Sequence, residues 1–295
     1  MKLDVNAGLQ LARLPQDHRL SHLLRLMHPE VQPERVPLEN LLDAAFFNLD
    51  RCFAYHQADE EIQARIRATC TATLLEEAVA IERMGLAFAA KMLLVASTQE
   101  ERIFYAQMAA EEALHLQWIE AWLPAPNAPI QQPFLTSLAH WIEEGASTSL
   151  LLLVQVVLEG WGLAHYRQVM AHCLNEKMIS QFRVILGDEA RHHCAGEILL
   201  EGRSFQPMEQ DFTLECLRQL IGQIRLGPLR VMAVVEENLG PFDAPARLEL
   251  WRELGGPRQV ELRLNLLREL LARGPKTLFT LLEAEGSFLP IGVSA

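Results

Sequence analysis

Apolar positions recur at three- and four-residue spacing through most of this chain, with polar residues between them, which is the mark of amphipathic helices. Four long segments carry that period: about Ala72 to Ala96, about Glu100 to Leu123, from Ser147-Thr148-Ser149 to about Cys173, and about Lys177 to Leu200. Ser97-Thr98 makes a tight joint between the first two, with Thr98 as N-cap and Glu101 three residues on. These two helices are therefore expected as antiparallel neighbours. Pro124, Pro126, Pro129 and Pro133 then break any helix, and Phe134 to Glu144 reads as a short one before Gly145. Asn175 turns the chain between the third and fourth long helices. The stretch separating the second from the third is too long for a tight hairpin and fits a crossover along a bundle.

Flanking segments keep the same period. Residues 38 to 70 read as a helix or a helix pair. Residues 208 to 286 hold at least three amphipathic segments, punctuated by Gly227-Pro228, Gly240-Pro241, Gly255-Gly256-Pro257 and Gly274-Pro275. No stretch alternates convincingly with period two. The expected fold is all-α: a four-helix bundle with additional N- and C-terminal helices. Residues 1–71 would form an N-terminal helical flank, 72–202 the bundle, and 203–295 a C-terminal helical extension packed on it.

Charged residues interrupt the apolar faces at a few places, and those places repeat. Glu82 lies in a stripe of Leu75, Ala78, Gly85, Ala89 and Leu93, and Glu159 in a stripe of Leu152, Gln155, Gly162 and Tyr166. A carboxylate inside such a stripe is costly unless it is paired, protonated or bound to a metal. Thirty residues after each of them comes Glu-x-x-His, first as Glu112 and His115, then as Glu189 and His192. Glu and His three positions apart share one helical face. Two copies of this cassette supply four carboxylates and two imidazoles, the ligand set of a two-metal site inside a four-helix bundle. Glu77 is the alternative to Glu82 on the first helix. Glu82 is preferred because its spacing matches the second copy, and because Gly85 follows it as Gly162 follows Glu159. Small residues there would leave room beside the carboxylates.

Carboxylates and imidazoles without thiolate suit iron or manganese. The expected cofactor is two iron ions, with manganese the alternative in one or both positions. Each downstream ligand Glu is preceded by another acid, Glu111 or Asp188. Metal-bound histidines usually give their second N–H to a carboxylate. Asp188 is thus expected to serve His115, and Glu111 to serve His192.

The cassette resembles the ferritin-like di-iron carboxylate superfamily, in its oxygenase and oxidase branch, over roughly residues 72 to 202. The resemblance assigns the metal to Glu82, Glu112, His115, Glu159, Glu189 and His192. It implies an enzyme that uses dioxygen to hydroxylate, N-oxygenate or similarly transform a small or medium organic substrate. A ferroxidase, a peroxidase or an iron-binding protein without organic substrate is the alternative. No Cys₄ module like that of rubrerythrins is present. The stretch Leu116 to Trp122 lacks the tyrosine that stores a radical in ribonucleotide reductase subunits.

Tyr105, seven residues before Glu112, and Tyr166, seven after Glu159, lie on their ligands' faces and could line a pocket or bond a ligand. Gln155, one turn before Glu159, could orient water or substrate. His165 and His172 lie past the site, and His193 points away from it. No flavin fingerprint or cysteine cluster is visible, so electrons would come from an external donor.

Composition narrows the setting. Hydrophobic residues make up 50% and charged residues 22%, as in ordinary globular chains. Net charge is −12 with no Lys/Arg cluster, which weighs against a nucleic-acid partner. Leu150 to Leu158, the most apolar run, is too short to span a bilayer. Met1 to Leu14 does not read as a signal peptide. Five cysteines without a CxxC pair argue against a disulfide framework and for the cytoplasm. A homodimer remains open.

Overall fold

The computed structural model describes residues 17–20, 23–24, 36–124 and 133–289. Pro126 and Pro129 of the expected crossover, and Met1 to Leu14, lie outside them. Among the described residues no strand forms. The one extended pairing is an isolated antiparallel bridge, Leu42 with Cys173. The chain divides into two compact units, one taking in Leu75–Glu143 with the described residues before Pro37, the other Pro37–Leu74 and Glu144 onward.

The expected helix or helix pair over 38–70 resolves differently. Three short 3₁₀ turns come first, Leu38–Asn40, Ala44–Phe47 and Leu49–Arg51, broken by Asn48 at a left-handed φ of 56°. A single-turn helix, α1 (Phe53–Gln57), follows. Then α2 runs from Glu60 to Val95, 36 residues, starting well before the expected Ala72. Nothing in Glu60–Val95 can stop a helix: it holds no proline and one glycine, Gly85. Asp59 sets its start by accepting the Ile62 N–H at 2.8 Å.

In the first unit, α2 turns at Ser97-Thr98 into α3 (Gln99–Glu120). The joint is a cap of the expected kind. Glu101 N–H donates to Thr98 Oγ1 at 3.1 Å, and the Glu101 carboxylate accepts from Ser97 N–H at 2.8 Å. Contacts pair Arg83 with Glu120, Glu82 with His115, Gly85 with Glu112 and Phe88 with Tyr105, so the two helices run antiparallel. Helix α4 (Pro133–Glu144) carries a fully buried Trp141. Lys91 donates to the carbonyls of Ile142 and Glu143, at 2.7 and 3.0 Å, where a cation is favoured at a helix C-terminus.

In the second unit, α5 spans Ser147–His172 and is not uniform. Ser147–Leu150 is α-helical, Leu151–Leu158 is π-helical, and Glu159–His172 returns to α. Asn175 then accepts the N–H groups of Lys177 and Met178 and starts α6 (Glu176–Leu200). Contacts Gln155–Gly196, Glu159–His192, Gly160–His193 and Tyr166–Phe182 make this pair antiparallel too.

Five helices follow: α7 (Pro207–Ile224), α8 (Leu229–Leu239), α9 (Ala244–Glu253), α10 (Gly256–Ala272) and α11 (Lys276–Ala284). The glycine-proline joints fall between them, the third running into the first turn of α10. Gly227 takes a φ of 68°, and a Cβ there would meet the Trp251 indole at 2.8 Å. Helices α7 and α10 pack on α5. This covering matters, because α5 is by length and composition apolar enough to cross a membrane. Every residue from Leu151 to Val157 is instead buried inside the unit. A helix apolar all round needs partners on all sides.

Candidate metal centre

Each hairpin carries one half of the repeated cassette. In the first unit the centre is His115, with no solvent exposure. Its Nδ1 lies 3.4 Å from Glu82 Oε2 and 4.0 Å from Glu112 Oε2. Glu82 is 2% exposed, whereas Glu77 is half-buried. Gly85 makes the space that Glu112 uses: a Cβ there would lie 2.6 Å from Glu112 Oε2. The Trp118 ring tilts against His115 with 6.2 Å between centroids.

In the second unit His192 is likewise fully buried, and its Nδ1 lies 4.0 Å from Glu159 Oε2. Glu189 is buried one turn before it. Gln155, also fully buried, donates its amide N–H to the His192 carbonyl at 2.9 Å. Asp188 is buried and pairs with the exposed guanidinium of Arg191. Glu111, its counterpart on α3, is half-buried.

Among the described residues, Glu82, Glu112 and His115 in the first unit, and Glu159, Glu189 and His192 in the second, each bring their ligand atoms close enough together to hold a metal ion. Glu77 belongs to neither group. The donor chemistry fits a pair of divalent cations. Four carboxylates balance two double charges, and neutral imidazoles complete the set. Without cations, that many buried carboxylates would have to be protonated or would repel one another.

The remaining predicted residues sit as follows. Tyr105 is buried with its ring edge-on to Phe88, centroids 6.1 Å apart, and Tyr166 is buried against Phe182 at 5.4 Å. His172 is drawn away by the Asp43 carboxylate at 3.0 Å. His165 is half-buried beside Phe46. Burial, aided by the Arg263 charge, lowers its pKa to about 4. Neither imidazole joins a metal group. Arg83 forms an ion pair with Glu120 at 2.6 Å.

Three residues carry more weight than their pattern suggests. His193 is buried, with its ring against Gly160 and Nε2 3.6 Å from Glu197. A Cβ at Gly160 would lie 2.9 Å from the His193 ring and 2.5 Å from Leu270. A Cβ at Gly196 would lie 2.8 Å from Gln155 Cγ. Gly162, expected to leave room beside Glu159, meets nothing closer than Tyr166 at 3.9 Å. The tight glycines of the second hairpin are thus Gly160 and Gly196, which make room for Leu270, His193 and Gln155 rather than for a ligand. The available signal was two glycines inside helices, each adjoining a cassette.

Residues 54–201, half of the chain, match the family model of the ferritin-like domain. The chain belongs to the ferritin-like family. Its fold is all-α, a ferritin-like helix-bundle core with flanking helices. No curated protein and no solved structure matches this chain. The ferritin-like core thus carries two buried Glu/His groups suited to a pair of metal ions, a metal-binding function.

Proposed function

We propose that this ferritin-like protein is an oxygen-dependent di-iron oxidoreductase acting on a small or medium organic substrate. The observation that carries the reading is the buried donor set of four carboxylates and two imidazoles. Glu82, Glu112, His115, Glu159, Glu189 and His192 would hold the two irons. Such a pair, when bound, supplies two electrons together to dioxygen. The chain supplies position and dryness: His115 and His192 have no contact with bulk water. In this reading Asp188 and Glu111 would accept the second N–H of the ligand histidines and so fix the tautomer that binds metal. Tyr105 and Tyr166, buried about two turns from Glu112 and Glu159 along their helices, are the tyrosines that would move a proton or bond a carboxylate in this reading.

An external donor returns the electrons. Five free cysteines support a cytoplasmic setting. Burial pushes the Cys70 and Cys216 thiols up to about 12, so they stay protonated and do not compete for metal.

The test is anaerobic loading with iron(II), followed by elemental analysis and then oxygen uptake with a chemical reductant and a panel of organic compounds. Two ions per chain, and consumption of an organic compound coupled to oxygen uptake, are expected. One ion or none sinks the di-iron assignment. Iron oxidation indifferent to every organic compound replaces the oxygenase with a ferroxidase.

A further inference from the structure

The π-helical stretch of α5 ends at a metal-binding residue. The Glu159 N–H reaches back to the Val154 carbonyl, five residues earlier, as well as to Val156. A ladder of this kind takes more residues per turn than an α-helix, so Glu159 emerges at a different angle around the helix axis. If Leu151–Leu158 relaxed to α-helical bonding, Glu159 would turn away from its present place 4.0 Å from His192.

Something must hold that geometry, and the run Leu-Leu-Leu-Val-Gln-Val-Val-Leu contains one polar side chain, Gln155. It is completely buried. Its amide spans to α6 and donates to the His192 carbonyl at 2.9 Å, so it grips the backbone of the opposing ligand. Its stem lies flat over Gly196. A Cβ at Gly196 would stand 2.8 Å from Gln155 Cγ, 2.9 Å from Cβ and 3.1 Å from the backbone carbon. Gly196 therefore permits an approach that any larger residue would prevent. An apolar side chain could fill the position without the cost of desolvating an amide. The glutamine ties the π segment to the ligand turn of the neighbouring helix.

We propose that Gln155, seated on Gly196, is a positioning residue that locks the π segment so that Glu159 faces His192. The residue acts through Glu159 and touches no reacting atom in this role. The metal-binding consequence rests on the di-iron reading above; the lock itself does not.

Two variants of the full chain test it. Gln155→Met keeps length without the donor, and Gly196→Ala keeps the donor but wedges its stem. In metal-free protein, hydrogen exchange of the amides from 155 to 160 should speed about tenfold in both, while exchange in α2 and α3 stays as in wild type. Unchanged exchange overturns the proposal. A uniform rise across the whole chain, with Tm falling in step, also overturns it, because that is a general stability role. In an iron(II) titration, Gln155→Met should bind one ion as wild type does and the second about tenfold more weakly. Equal weakening of both ions, or of neither, overturns the proposal. If wild type takes up no iron while the local exchange result holds, the di-iron reading fails and the lock is supported.

Discussion

The two ligand hairpins carry one sequence pattern and reach it by different packing. On the α2/α3 side, α-helical geometry is kept through Glu82, and one glycine, Gly85, accommodates the Glu112 carboxylate itself. On the α5/α6 side the helix before Glu159 is π-helical, and the tight glycines, Gly160 and Gly196, accommodate neighbouring side chains rather than a ligand. The apparent echo of Gly85 in Gly162 is therefore a coincidence of spacing. Glu82 and His115 approach to 3.4 Å, whereas Glu159 and His192 stand at 4.0 Å. Equal spacing in sequence assures a shared face. It does not assure equal support for the side chain on that face.

The largest effect expected from breaking this comparison is at the first Glu of the α2 stripe. Glu82→Ala should weaken iron at its group about a hundredfold or more, since even outer partners of ligands are worth about 10–100-fold. Glu77→Ala should leave the titration close to wild type, because Glu77 is in neither metal group. The reverse result would transfer the ligand role to Glu77.

The glycine pair sharpens the contrast. Gly85→Ala should push on the Glu112 carboxylate and weaken iron about tenfold. Gly162→Ala meets only Tyr166, in ordinary van der Waals contact at 3.9 Å, and should leave iron unchanged while adding about 0.5–1 kcal/mol of stability through helix propensity. Iron titration and denaturant unfolding of both variants measure this. Equal effects on iron at the two positions would restore the symmetric reading.

A smaller effect belongs to the far end of α5, which has no counterpart on α2. The His165 pKa falls from 6.5 to about 4 in the fold, chiefly by burial and further by Arg263. A depressed value means that the unfolded chain binds the proton more readily. The stability tied to neutral His165 is thus full above about pH 6.5 and is lost as pH falls toward 4. His165→Gln should flatten that part of the stability profile, read from unfolding midpoints across the range. Phe46, against which the ring lies, and the Asp43–His172 pair on the other side of that contact are unchanged in the variant. A profile as steep as wild type would assign the acid sensitivity elsewhere.

What the sequence determined by itself is whatever depends on short-range periodicity. Glu112 with His115, and Glu189 with His192, share faces because three residues make nearly one helical turn. The Thr98 cap and the glycine-proline joints are local chemistry as well. The all-helical class follows from the same period. Tertiary structure decided the rest. Absence of a breaker let α2 begin at Glu60, but the pattern alone did not distinguish that from separate helices over 38–70. The π geometry of Leu151–Leu158 left no mark in a run of apolar residues, because what differs is which carbonyl each amide reaches. That choice is tied to contacts with α6, α7 and α10 that are distant in sequence. Gly160 and Gly196 gained their importance in the same way. A glycine is only a missing side chain until a neighbouring helix comes close enough to need the space.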